Sequence, residues 1–284
     1  MSLFCCPICS AGLTRGERVS SCPRGHTFDI ASSGYVHLLP PNQKHAKHPG
    51  DDKEMVAARA AFLEKGYYSA LLSALQSKAA ELLAPTASPV LIDSGCGEGY
   101  YTEGLFRALT QAGHTAKAAG VDISKFALKR AAKRLKEGEF SVASAYHLPL
   151  PDGCADLLTN IFSPLAAKEF LRILKPGGYF FYTVPSALHL WELKALLYDV
   201  PYENPVRQEN YPGFLWLGAI PVRAAITLDS REDLMALFHM TPYAWKTPKA
   251  GIARLREQSS LKTQIGFDVH IYQKISVPSK DFLR

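Results

Sequence analysis

Two groups of residues in this chain have the types and spacing to do chemistry. The first is Cys6, Cys9, Cys22 and His26. A Cys-x-x-Cys knuckle followed by a Cys-x3-His knuckle offers four soft ligands, which suits a tetrahedral Zn²⁺ with bonds of about 2.0–2.3 Å. Four protein ligands leave no open position, so such a centre is structural. Cys5 is an alternative to Cys6, but Cys6-Pro7 mirrors Cys22-Pro23 and has the better spacing. A redox dithiol at Cys6 and Cys9 would need a thioredoxin-like βαβ setting, which is missing around them. A module this small buries too little apolar surface to fold alone, so metal binding would do much of its folding. Cys96 and Cys154 stand alone.

The second group lies in Asp93-Ser94-Gly95-Cys96-Gly97-Glu98-Gly99. The apolar run Val90–Ile92 suits a strand buried on both faces, and Asp93 closes it. Helical spacing then begins with Tyr101, Leu105 and Leu109. Strand, glycine turn and helix form the nucleotide-binding corner of a doubly wound α/β sheet. The third glycine comes one residue too early for a dinucleotide fingerprint, and no lysine follows as in a phosphate-cradling loop. An acid ahead of the glycines repels phosphate and attracts an amine. S-adenosylmethionine has an ammonium, a carboxylate and two ribose hydroxyls, and no phosphate. Gly95 and Gly97 would let the backbone approach its methionyl part, and Asp122, at the tip of the next strand, would accept ribose hydroxyls. In a plainer reading Asp93 only caps a helix and the glycines only make a tight turn.

The elements around these groups alternate as a parallel sheet requires. Strands are expected at 118–122, 139–143, 155–162 and 179–184, with helices at 125–136, 166–174 and 186–197. Further strands near 221–228 and 267–275 finish the sheet. Ahead of it, a helix capped by Asp51 with Glu54 three residues on leads to Tyr67 and Tyr68 and to a second helix at 69–83. Residues 28–31 and 34–39 read as closing strands of the metal module. The basic stretch 40–50 reads as a phosphate-facing linker or a solvated one. The run Lys125, Lys129, Arg130, Lys133, Arg134, Lys136 is read as a solvated helix face.

Composition adds bounds. The chain has 284 residues, 47% hydrophobic and 20% charged, enough for one α/β domain and a small module. Thirty-two Lys+Arg against 26 Asp+Glu give a net charge of +6, which agrees with a nucleic-acid partner without establishing one. There is no apolar run of about 18 residues and no signal-peptide pattern, so a cytoplasmic protein with no membrane partner is expected.

The zinc knuckles, Phe28-Asp29-x-Ala31, Gly34-Tyr35-Val36-x-Leu38-Leu39-Pro40, the Asp93–Tyr101 loop and Met240-Thr241-Pro242 occur together. In this combination the sequence resembles, over nearly its whole length, the bacterial 23S ribosomal RNA guanine-N1 methyltransferases. The resemblance implies a class I (Rossmann-like) methyltransferase domain at 86–284, a zinc-binding RNA-recognition module at 1–39, and a basic linker with helices at 40–85. It implies methylation of a guanine in hairpin 35, at nucleotide 745 or 748, with 745 indicated by the linker ending Pro49-Gly50-Asp51. It also implies zinc at Cys6, Cys9, Cys22 and His26, S-adenosylmethionine contacts from Tyr68, Gly97, Glu98 and His189, and a homodimer. Ser94 departs from the apolar residue usual there, and its hydroxyl needs a partner.

Guanine N1 carries a proton at neutral pH, so methyl transfer needs that proton removed and N1 aligned with the methyl and sulfur. Asn160 is the candidate to hydrogen-bond the base edge and Phe162 to stack on it, with Asp156 and His189 as general-base candidates. His189 is expected in the first turn of the helix at 186–197. Two other classes share parts of this pattern. A small-molecule methyltransferase needs no zinc module, and a non-catalytic RNA-binding protein needs no intact cofactor loop.

Overall fold

The computed structural model describes residues 2–41, 50–206 and 210–275; most of the basic linker lies outside them. Four short strands form at the N-terminus, β1 (Thr14–Arg15), β2 (Val19–Ser21), β3 (Thr27–Asp29) and β4 (Val36–His37). Two helices follow, α1 (Lys53–Glu64) and α2 (Ser69–Leu83). The main alternation is β5 (Val90–Ser94), α3 (Tyr100–Gln111), β6 (Lys117–Asp122), α4 (Lys125–Arg134), β7 (Glu139–Val142), β8 (Ala155–Ile161), α5 (Ala167–Ile173), β9 (Leu174–Pro185) and α6 (Trp191–Leu197). It closes with β10 (Phe214–Leu228), α7 (Arg231–His239), α8 (Tyr243–Lys246), α9 (Lys249–Glu257) and β11 (Leu261–Lys274).

β1, β2 and β3 make a small antiparallel sheet, and the large sheet has the order β10-β11-β9-β8-β5-β6-β7-β4. From β5 the chain steps outward through β6 and β7, then returns to β8 on the other side. That reversal opens a crevice at the carboxyl ends of β5 and β8, where ligands bind in such sheets. β11 runs antiparallel between β9 and β10. Val90, Leu91 and Ile92 are apolar without alternation because helices cover both faces of their strand.

β4 is a two-residue strand of the large sheet, paired in parallel with β7 through Val36↔Ser141 and His37↔Val142. Phe4, Leu13, Val36 and Leu38 share one apolar core with Val121, Ala143 and Leu148. The Cys5 amide donates to the Pro149 carbonyl at 2.9 Å, and the Leu3 amide to Glu139 at the same distance. The metal module is therefore packed onto the sheet edge.

Three local expectations are corrected. The cap of α1 is Asp52, whose carboxylate accepts from the amides of Glu54 and Met55. Asp51 instead pairs with Arg59, and its carbonyl accepts from the Ser124 hydroxyl. The strand expected to reach Phe162 stops at Ile161, because Phe162 turns to a left-handed φ of 55°. α6 begins only at Trp191, so His189 lies in the turn before it. There β11 takes up the backbone. The Ser186 amide donates to the Gly266 carbonyl and the Leu190 amide to Gln264.

Candidate functional site

The metal module brings Cys6, Cys9, Cys22 and His26 together with all four ligand atoms within 4.8 Å of one another. Cys9 Sγ and Cys22 Sγ are 3.7 Å apart, and His26 Nδ1 lies 3.4 Å from Cys22 Sγ and 3.6 Å from Cys6 Sγ. Bond lengths of about 2.3 Å for sulfur and 2.0–2.1 Å for nitrogen give tetrahedron edges of about 3.8 and 3.6 Å. These three separations are close to such edges, so the four donors could hold a zinc ion, and it is Cys6 rather than Cys5 that belongs to the cluster. Burial pushes the Cys22 thiol up, but backbone groups of His26 and Arg24 and the His26 ring outweigh it and hold the group at about 6. A readily formed thiolate is what a metal ligand requires.

In the glycine corner each glycine has a different neighbour. A Cβ on Gly95 would sit 2.0 Å from Ser163 Oγ, and one on Gly99 would meet Ala131 at 3.0 Å. A Cβ on Gly97 would meet nothing within 4 Å, and all three residues hold positive φ. Gly97 therefore presents bare backbone to open space at the crevice, a cradle that a side chain would fill. The Gly97 amide donates to Asp122 Oδ2 at 2.9 Å and the Ser124 amide to Oδ1 at 2.7 Å. These bonds fix the Asp122 carboxylate on the loop, and each oxygen keeps a lone pair for a hydroxyl. Burial raises the Asp122 pKa, against the pull of the two amides.

Asp93 is turned inward. It accepts from Thr102 Oγ1 at 2.5 Å and Thr159 Oγ1 at 2.9 Å, tying β5 to α3 and β8 while 1% exposed. Burial lifts it to about 6, opposed by the two hydroxyls. It acts from behind the loop rather than as a direct amine ligand. Glu98 is likewise buried, with Oε2 2.7 Å from Arg134 Nη2. Burial raises its pKa against that guanidinium. Arg134 also meets Glu64 and Glu103. Glu98 Oε1 is a buried acceptor with no hydrogen-bond partner among the described residues.

A run of rings borders the crevice. Phe267 lies 4.8 Å from both Tyr68 and His189 and 5.3 Å from Phe162, between ring centroids. His189 is buried, and its Nδ1 accepts the Gly266 amide at 3.2 Å. Burial drives its pKa down to about 3, so the ring is neutral with its proton on Nε2. Its acceptor nitrogen is taken by that amide and the remaining Nε2–H is a donor, which argues against His189 as general base. Asp156 is removed by position. It stands at the amino end of β8, about 13 Å of strand from Asn160, and accepts from the Val90 amide and Lys175 Nζ.

Asn160 is fully buried, its Nδ2 donating to the Ser94 and Pro164 carbonyls at 3.2 and 3.1 Å. Its Oδ1 is a buried acceptor with no partner among the described residues, as is Ser94 Oγ in the adjacent strand. Phe162 follows, 47% exposed and strained at positive φ. A bulky residue held there at a crevice points to function. Sequence reasoning missed Phe267, Thr102, Thr159 and Arg134. The threonines carry a legible signal, a hydroxyl one turn or one strand from a buried acid; Phe267 depends on the register of β11 alone.

Comparison with known proteins agrees with this geometry. The family model described as "RlmA, N-terminal" matches residues 4–47, and the one described as "Methyltransferase domain" matches 92–182. A Streptomyces fradiae protein named 23S rRNA (guanine(748)-N(1))-methyltransferase is 34% identical over 254 residues, covering 88% of each chain. A Micromonospora griseorubida protein provisionally named a 23S rRNA (guanine-N(1)-)-methyltransferase is 34% identical, covering 86% of this chain and 88% of that one. One from Bacillus subtilis (strain 168), with the same provisional name, is 32% identical over 285 residues, covering 96% and 98%.

Proposed function

This chain belongs to the 23S rRNA (guanine-N1)-methyltransferase family, and we propose that it transfers a methyl group from S-adenosylmethionine to N1 of a guanine in hairpin 35 of 23S ribosomal RNA. One observation carries the reading at the level of the site. The unpartnered acceptor Asn160 Oδ1 and the half-exposed ring of Phe162 stand at the end of β8, beside a glycine corner with space for a ligand over Gly97.

S-adenosylmethionine supplies the electrophilic methyl when bound. Gly95 and Gly97 give it backbone access, Asp122 accepts ribose hydroxyls, Glu98 adds a main-chain contact, and Tyr68 and His189 close the side opposite. On the RNA side Phe162 stacks on the extruded guanine. Asn160 Oδ1 accepts a hydrogen bond from the base edge once the Ser163–Pro164 turn gives way. Holding N1 in line with the methyl is the chain's main contribution, and one proton is released per transfer.

Zinc fills the Cys6, Cys9, Cys22 and His26 tetrahedron, and its module contacts the RNA. The chain forms a homodimer; the long edge strand β10, with Leu215 and Leu217 about half exposed, supports that reading. It acts in the cytoplasm, and no helix of the described residues is long and apolar enough to cross a membrane. Guanine 745 is the position indicated by the linker, whereas the S. fradiae relative is named for guanine 748. Asn160→Ala and Phe162→Ala test the catalytic part. Each should slow single-turnover transfer at saturating RNA by tenfold or more with cofactor affinity kept, and an unchanged rate removes that residue from the account.

A further inference from the structure

Among the described residues the cations on the outer face of α4 and in the turn after it have no acidic partner; Lys125 lies 5.6 Å from the ring centroid of its neighbour Phe126. Lys125, Lys129, Arg130, Lys133 and Lys136 are exposed, and none forms an ion pair with another described residue. Arg134 on the same helix is surrounded by Glu64, Glu98 and Glu103. The helix thus neutralises its inner cation and leaves five outer ones bare. Lys125 and Lys129, and Lys129 and Lys133, face each other one turn apart, an arrangement that weakens a helix with no anion nearby. From Lys125 to Lys133 the stripe runs about 12 Å along the axis, and Lys136 follows in the turn after the helix.

This stripe borders a groove. A cleft of about 360 Å³ separates α4 from the metal module, lined by Thr14, Arg15 and Gly34 on one side and by Ala132, Lys136 and Glu137 on the other. The Gly34 carbonyl accepts from Arg15 Nη2 at 2.5 Å, which fixes that guanidinium at the rim. Glu139 at the base is occupied by Ser2 and the Leu3 amide. Glu137 is the one exposed acid of the lining. Lys136 and the fixed Arg15 guanidinium line the two walls of the cleft, and Lys133, Lys129 and Lys125 continue the positive charge along the helix beside it, a pattern that matches a polyanion with regularly spaced charges.

We propose that this groove and the adjoining α4 stripe seat a phosphodiester segment of the RNA substrate, with Arg15, Lys129, Lys133 and Lys136 meeting its phosphates. The proposal rests on the reading that the substrate is ribosomal RNA. It gives the metal module a second task, forming one wall of the backbone seat, and it makes the contact sequence-independent, so guanine selection stays at Phe162 and Asn160.

The test uses the full chain and a 23S RNA fragment spanning hairpin 35. Lys129→Gln, Lys133→Gln and Lys136→Gln combined should weaken RNA binding at least tenfold at about 0.1 M salt. The slope of log K against log salt should fall by about 2 to 3, as loss of three phosphate contacts requires. The melting temperature should not fall, and cofactor affinity should stay at the wild-type value. Glu137→Gln should tighten binding, an outcome that misfolding cannot mimic. A wild-type chain that methylates the RNA while the triple variant keeps its affinity and slope overturns the groove alone. A wild-type chain that neither binds nor methylates the RNA overturns the substrate reading with it.

Discussion

Replacing Gly97 with alanine adds one methyl to the loop at φ +56°, where no atom lies within 4 Å. Left-handed backbone costs an L-residue about 1–2 kcal/mol, so the melting temperature should fall by only a few degrees. The methyl points into the space assigned to the cofactor, where overpacking costs about 1–3 kcal/mol. At about 1.4 kcal/mol per decade, that is a loss of about 5- to 150-fold in affinity. Calorimetric titration with S-adenosylhomocysteine reads it directly. Two sister variants calibrate the result. Gly99→Ala would press on Ala131, lowering stability more than affinity. Gly95→Ala would strike Ser163 and displace the turn after Phe162, so its loss should appear in RNA methylation as well. A folded Gly97→Ala protein that binds the cofactor within twofold of wild type would refute the assignment of that space.

Other expectations follow from the charged and metal groups. The folded chain holds the Asp93 proton up to about pH 6, while the unfolded chain loses it near the ordinary value of 3.8. Its contribution therefore favours the fold at low pH and is lost as pH rises through about 6; relative to Asp93→Asn, wild type should lose about 1.4 kcal/mol between about pH 5 and pH 8. Urea melts of both proteins at the two pH values check the sign. Arg134→Met leaves Glu98 buried without its cation and should cost about 3–5 kcal/mol, most of it recovered in Glu98→Gln/Arg134→Met. Metal analysis should find one zinc ion per chain in wild type and none in Cys22→Ser. The same variant should lose RNA methylation while cofactor binding persists. A ligand variant is a cleaner probe than deleting residues 1–50, because β4 and the Phe4 and Leu13 side chains belong to the large sheet and its core.

Much of this arrangement was legible because it is local. The strand, glycine turn and helix at 90–111 are written in one apolar run and one spacing, and the Cys/His tetrad in two knuckles. What escaped is set by distant partners. His37 pairs with Val142 across more than a hundred residues, and nothing in two residues of sequence marks a strand. Asp51 and Asp52 are equal candidates for the α1 cap, and bonds to Ser124 and Arg59 decide between them. His189 looked helical from its neighbours, yet β11 takes the backbone groups a first turn would have used. Asp93 could be read as facing the cofactor, whereas Thr102 and Thr159 draw it inward. β10 and β11 run several residues past their apolar stretches because they pair with each other along their full length.

The central claim is tested most directly by methyl transfer from labelled S-adenosylmethionine to 23S RNA lacking the modification, with the product mapped by primer extension. An N1 methyl blocks Watson–Crick pairing, so reverse transcriptase stops beside it. The account predicts a stop within hairpin 35, at the guanine 745 position. Incorporation elsewhere in the RNA, or none from a chain that binds the cofactor, would contradict it.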